Sequence, residues 1–511
     1  MKLNEILRWQ LAIPLLGLGI AAVTLAVADD QAPPKYFGSL SWFDAGRSSV
    51  FPAEAEFDDL HGKLGVLNTG GPTQTKGHPF FEPLGTNGRA CITCHQPAYA
   101  MSVSAASLRE RWRATNGKDP VFAAIDGSNC PNLLQDKDGS HSLLLNRGLF
   151  RVFLPWPPKN HPEFTIEVVR DPTGCNTSAA YGLKSANPTI SVFRRPRVAA
   201  NLKYVTSDTG PFVLKTGMLA DLDPETGRPV GMNMMADARE PTLKTQAVSA
   251  ILTHEEGQAA PSREQLQKIV DFESNVYLAQ SVDPTGGNLS EAGGPEGLGP
   301  QAMASGKVGV LGDNDYNPVF HLFDVWKKSK PGETEQQRIF RASVARGSDI
   351  FMFRQFWLRD ATHINSIGLG NPLKRTCATC HNAQMTGQDL SAGWVDLGTT
   401  NYPTWTEAPL WNESAELPVF KITCDKSAAP HPYLGRLIYT TDPGRALISG
   451  KCVDVGSIVM QQFRGLSARA PYFSNGSAKT LGELVDFYDR RFDMKLSETE
   501  KQDLVNFLSV L

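Results

Sequence analysis

Cys91-Ile92-Thr93-Cys94-His95 and Cys377-Ala378-Thr379-Cys380-His381 are the two stretches that decide how this 511-residue chain is read. Each sets two thiols about one helical turn apart and follows them at once with an imidazole. Thiols so spaced can form thioethers with the two vinyl groups of one haem, and the adjacent histidine then reaches the iron from the same side. A zinc site would require the two distant cysteine pairs to converge, and a redox dithiol has no need of the histidine. The motifs therefore predict two covalently bound c-type haems. Cys91, Cys94, Cys377 and Cys380 would attach them, with His95 and His381 as proximal iron ligands.

Outward from the motifs, the N-terminus reads as an export signal. Lys2 and Arg8 flank an apolar run from Leu11 to Ala28 that closes on Ala26-Val27-Ala28, a small-x-small cleavage pattern. Residues 1–28 are predicted to be a signal peptide and the mature protein periplasmic, a retained membrane anchor being the alternative. An oxidising compartment permits disulfides. The four cysteines outside the motifs allow three connectivities, of which Cys130–Cys175 with Cys424–Cys452, each pair within its own half, is the simplest. The formal net charge of −3 gives no basis for a nucleic-acid partner.

The predicted fold is mainly α: two cytochrome-c-type haem domains with long irregular loops and insertions. The N-terminal haem domain spans 29–301 and the C-terminal cytochrome c domain 333–511. Ser262 and Gln265 form a capping box for a helix over Ser262–Gln280, with Leu266, Ile269, Val270 and Val276 as its apolar stripe. Gln336–Arg354 also reads as helix. Thr480 with Glu483, and Ser497 with Glu500, cap the last two helices. Asp283–Gln301, rich in glycine and proline, reads as a surface loop or linker.

Two further stretches carry a family resemblance. Met234-Met235-Ala236-Asp237-Ala238-Arg239-Glu240-Pro241-Thr242-Leu243-Lys244-Thr245-Gln246-Ala247 resembles the W-D-G-R-A-x-x-L-E-E-Q-A segment of bacterial di-haem cytochrome c peroxidases. Phe463-Arg464-Gly465-Leu466-Ser467-Ala468-Arg469-Ala470-Pro471-Tyr472-Phe473-Ser474-Asn475-Gly476-Ser477 resembles their L-R-N-x-x-x-T-A-P-Y-F-H-D-G-S. The superfamily includes the methylamine-dehydrogenase maturase MauG and di-haem rubber oxygenases. The resemblance implies that peroxide or another small oxidant reacts at the His95 haem, while the His381 haem relays electrons from a small redox protein. It also allows for a calcium ion between the domains, with no assignable ligands here.

By the same resemblance Tyr488 occupies the position of the relay haem's sixth ligand, a methionine in the peroxidases and a tyrosine in MauG. Met460 and Met494 compete for that role, and an ordinary core tyrosine is the plain alternative. On the His95 side the chain departs from the peroxidase pattern. The acidic positions of L-E-E-Q-A are Lys244 and Thr245, the tryptophan is Ala236, and no tryptophan lies between Trp156 and Trp326 to bridge the haems. His254 as a distal ligand or base and Glu255 as a proton carrier are the compensating candidates, set against a solvated charged turn. Arg239 matches the family's arginine and is a candidate for a haem propionate, set against a surface arginine. Three functions follow from these readings: peroxide reduction, a MauG-like or rubber-oxygenase-like oxidation of an organic or protein substrate, and non-catalytic electron carriage.

Overall fold

Local sequence dictates the helices closely. In the computed structural model, which describes residues 42–207, 234–306, 319–362, 370–381, 394–402 and 415–511, the helix predicted from Gln336 is Glu335–Phe353, opened by reciprocal bonds between Thr334 and Gln337. The last two helices are Leu481–Phe492 and Glu498–Ser509. Ser497 and Glu500 form the full capping box. Thr480 caps Glu483, but the Glu483 carboxylate reaches the Lys479 amide instead of returning the bond. The Glu335–Phe353 and Glu498–Ser509 helices pack closely because Gly347 carries no side chain. A Cβ there would lie 2.0 Å from the Asp503 carbonyl oxygen.

The mainly α expectation is overturned. Helix makes up 34% of the structure and strand 19%, arranged among the described residues as six small sheets, so the fold is mixed α/β. One four-stranded sheet joins Glu54–Asp59, Gly62–Asn68, Val276–Asp283 and Gly287–Asn288. The predicted Ser262–Gln280 helix accordingly stops early, at Asn275. Val276 turns into a buried strand paired with Asn68, where β-branched and aromatic side chains pack on a pleated surface. The second four-stranded sheet sets the early Phe164–Arg170 against the late Val419–Cys424, with Ile166 opposite Ile422. Leu437–Thr440 and Asn401–Tyr402 complete it.

The Asp283–Gln301 stretch is not a solvated linker. Leu289 and Leu298 are buried in the C-terminal core with Phe351 and Phe507. Both expected disulfide pairs stand at bridging distance. The Cα–Cα separation is 5.2 Å for Cys130–Cys175 and 5.9 Å for Cys424–Cys452. Each restricts the unfolded chain enough to contribute about 3–4 kcal/mol. Residues 1–28 and His363 lie outside the described residues. Among the described residues no helix is long and apolar enough to cross a membrane.

Candidate functional site

Each C-x-x-C segment forms one turn of helix, Cys91–Cys94 and Cys377–Cys380, and each lines its own cavity. The first encloses about 1420 Å³ of atom-free space, counted to its open mouth, and the second about 1550 Å³. Since the pairs line different cavities, they do not form one four-thiolate site. Burial pushes the Cys91 thiol well above its ordinary pKa, and those of Cys94 and Cys377 up to about 12. These are neutral thiols in apolar walls.

The His95 ring is oriented from behind. Its Nδ1 lies 2.9 Å from the Met101 carbonyl oxygen. Nδ1 therefore carries the proton and Nε2 keeps its lone pair for a metal. Burial lowers the His95 pKa and keeps the ring neutral. The motif helix is anchored one residue upstream of Ala90, where buried Arg89 ion-pairs with Asp126 and donates to the Pro120 and Val121 carbonyls at 2.7 and 2.6 Å. Paired thiols, a neutral imidazole with a free nitrogen and a large apolar hollow fit a covalently held haem.

The Leu243–His254 helix forms a second wall of this cavity. Leu243, Gln246, Ala247, Ala250 and His254 face it, an i, i+3, i+4, i+7 stripe. Lys244 and Thr245 do not line it, and Thr245 instead completes the helix-start capping box with Thr242. His254, at the last position, lines the cavity with its Nδ1 hydrogen-bonded to Asp126. Burial pushes Asp126 up, but Arg89 and His254 outweigh it and hold the carboxylate below its usual range. The ionised Asp126 thereby orients His254 and leaves its Nε2 for the cavity.

The solvated-turn reading fails for Glu255, which is 3% exposed. It accepts from the Leu84 amide at 3.0 Å, with its other oxygen 3.8 Å from Cys91 Sγ. Burial raises it to about 7. Arg239 is not a surface residue either. It lines the cavity and places Nη1 2.8 Å from both Asp237 oxygens, so its charge is already balanced within the protein.

Two residues escaped the sequence reading. Asp126 gave no local signal, being far from His254 in sequence. Glu273 did give one, since it falls four residues after Ile269 and three after Val270, on the apolar stripe of the Arg263–Asn275 helix. It lines the cavity at 5% exposure, and its Oε2 has no hydrogen-bond partner. Burial alone raises it to about 8.

In the second cavity His381 packs 4.7 Å from the Phe463 ring and 6.3 Å from Phe351, centroid to centroid. Tyr488 stands edge-on to it at 6.4 Å. Tyr488, Met460 and Met494 all line this cavity, so the fold brings together all three candidate sixth ligands. Burial raises the Tyr488 hydroxyl above the ordinary phenol range, and among the described residues nothing hydrogen-bonds it. Other histidines have structural partners: His78 accepts from the Phe80 amide, His141 bonds the Gly127 and Gln135 carbonyls, and His431 sits beside Thr362 and Asp396. Among the described residues no cluster of acids, histidines and cysteines is arranged to hold a metal ion such as calcium.

No family model matches the chain, and no solved structure matches it. Among curated proteins it is similar to cytochrome-c peroxidase IdrP1 of Pseudomonas sp. (strain SCT), with 27% identity over 149 residues. The match covers 27% of this chain and 37% of that protein, so it spans little more than a third of the relative's length. Two cavities with a motif apiece, and this partial likeness, support a distant relation to the cytochrome-c peroxidases.

Proposed function

We propose that this is an exported, periplasmic di-haem c-type oxidoreductase that reduces hydrogen peroxide at the His95 site, with electrons entering from a small redox protein by way of the His381 site. The observation that carries the proposal is that each C-x-x-C-H segment opens onto its own large apolar cavity. Haem bound there would supply the electron chemistry, while the protein sets ligation, polarity and access. Reducing peroxide to two waters consumes two electrons and two protons. Beside the first cavity, Glu273, at about 8, holds its proton at neutral pH, while Glu255, at about 7, is poised to take one up or release it. His254, fixed by Asp126, offers a basic nitrogen to accept a proton from an incoming hydroperoxide. A pyridine haemochrome assay of the purified protein should give two haems per chain, with peroxide consumed when a reduced c-type cytochrome is supplied. One haem or none would refute the proposal.

A second reading, a MauG-like or rubber-oxygenase-like oxidation of an organic or protein substrate, is favoured by Tyr488. Tyr488 is partly buried and lines the second cavity, and its hydroxyl has no hydrogen-bond partner among the described residues. Coordination through that oxygen would satisfy it, favour ferric iron and lower the potential. Tyr488→Phe should keep both haems attached, abolish the phenolate charge-transfer band and raise the potential of the His381 haem. An unchanged spectrum and potential would make Tyr488 an ordinary core residue.

A further inference from the structure

The two cavities share a wall. Arg195, Pro196, Gln461 and Gln462 line both of them. Beside this wall stand two more arginines, Arg197 lining the first cavity and Arg469 the second. Among the described residues every hydrogen-bond partner of these three guanidinium groups is a neutral backbone carbonyl. Arg195 donates to Val103 and Arg469 oxygens at 2.6 Å each, and to Arg147 at 3.3 Å. Arg197 donates to Val459 at 3.2 Å and Met460 at 3.0 Å. Arg469 donates from Nη2 to the Gln462 carbonyl, and its Nε has no partner. Gln461 Nε2 is likewise buried and unpartnered.

Among the described residues no carboxylate ion-pairs with any of the three. Burial lowers their pKa values, Arg195 to about 9 and Arg197 and Arg469 to about 10; the charge of Arg469 pushes Arg195 and Arg197 down further, and Asp237 offsets only part of this at Arg197. The neighbouring Arg194 shows the contrast, since it is held by both Asp237 and Asp442. Leaving a buried guanidinium without a counter-charge is unfavourable, so buried Arg195 and Arg469, with half-buried Arg197 beside them and spare donors on Arg469 and Gln461, form a site lacking its anions. Arg469 also stands where the quoted peroxidase pattern has threonine.

We propose that Arg195, Arg197 and Arg469 form an anion seat in the shared wall, and that it receives carboxylates from the occupants of both cavities. This rests on the two-haem reading, in which those carboxylates are haem propionates. A haem tethered through its vinyl edge carries its propionates on the opposite edge, free to engage such a seat. The shared wall then couples the two haems electrostatically, because one guanidinium acts on the carboxylates of both.

The test is spectroelectrochemical titration of the full-length holoprotein and of Arg195→Gln, Arg195→Lys, Arg197→Gln and Arg469→Gln, after each is assayed for haem content. Removing a positive charge beside a haem stabilises its ferric form. Arg195→Gln should therefore lower both midpoint potentials, and Arg195→Lys should restore most of the shift. Arg197→Gln should act mainly on the His95 haem and Arg469→Gln mainly on the His381 haem, which keeps the test valid should Arg195→Gln fail to fold. Two haems with unmoved potentials in the glutamine variants would overturn the seat while leaving the two-haem reading intact. Fewer than two haems in the parent protein would refute that reading and the seat with it.

Discussion

Arg194→Met should destabilise the protein by about 3–5 kcal/mol, measured as a fall in the denaturant midpoint. Arg194 ends the Thr189–Arg194 strand. Its Nε and Nη2 grip the two oxygens of Asp442 at 2.6 and 2.9 Å, and Nη1 holds Asp237 at 2.6 Å. The side chains are essentially buried, at 2%, 6% and 0% exposure for Arg194, Asp442 and Asp237. Removing the cation takes away the one ion-pair partner of Asp442 among the described residues and leaves Asp237 ion-paired with Arg239. The exposed Lys268–Glu264 pair is the control, since Lys268→Ala should change stability by no more than about 0.5 kcal/mol. The acid limb should respond as well. Burial opposes ionisation of Asp237, but Arg239 and Arg194 prevail and depress it from 3.8 to about 2. A depressed carboxylate adds stability that is present above its unfolded pKa and lost as pH falls through the folded one. The wild type should therefore lose stability between about pH 4 and 2, and Arg194→Met should show a shallower loss. A variant within about 1 kcal/mol of wild type would refute the network's role.

Glu273→Gln should slow peroxide reduction by about 10²–10⁴-fold, the usual worth of a positioned proton carrier. Glutamine keeps the shape but cannot ionise. Glu273 is the group to test because burial is the cause of its raised pKa and it has no ion-pair partner among the described residues. A second, independent readout comes from stability. A carboxyl raised from 4.5 to about 8 binds its proton more tightly in the folded protein. Its contribution is favourable below the unfolded pKa and is lost as pH rises through the folded one, so wild-type stability should decline between about pH 4.5 and 8. Glu273→Gln should flatten that decline. Wild-type turnover with the decline intact would remove Glu273 from the chemistry and leave Glu255 as the proton carrier.

The strands show why fold class was the weakest part of the sequence reading. Phe164-Thr165-Ile166-Glu167-Val168 does alternate apolar and polar residues, the period of a half-buried strand. Such a short segment becomes a strand only when it finds a partner, and its partner Val419–Cys424 lies in the other half of the chain. Val276 illustrates the same point from the helix side. It continues the apolar stripe of Arg263–Asn275, yet pairing with Asn68 draws the backbone into a sheet. The Leu243–His254 helix was legible as a family segment, but its facing was not. Packing presents Gln246 and Ala250 to the cavity and leaves Lys244 and Thr245 off it.

The amino-acid sequence alone determined what is local. The one-turn C-x-x-C-H segments and the helix caps at Ser262, Thr480 and Ser497 follow from neighbours a few residues apart, and each of the two cysteine pairs joins residues in the same half of the chain. Tertiary structure alone decided the surroundings of the two motifs. It buried Glu255 and Glu273 beside Cys91, set Asp126 behind His254, and put Arg195 and Gln461 in one wall common to both cavities. The physical reason is that burial and charge pairing are sums over groups distant in the chain. A carboxyl's proton affinity or a guanidinium's missing partner exists only once the fold has removed the water around it.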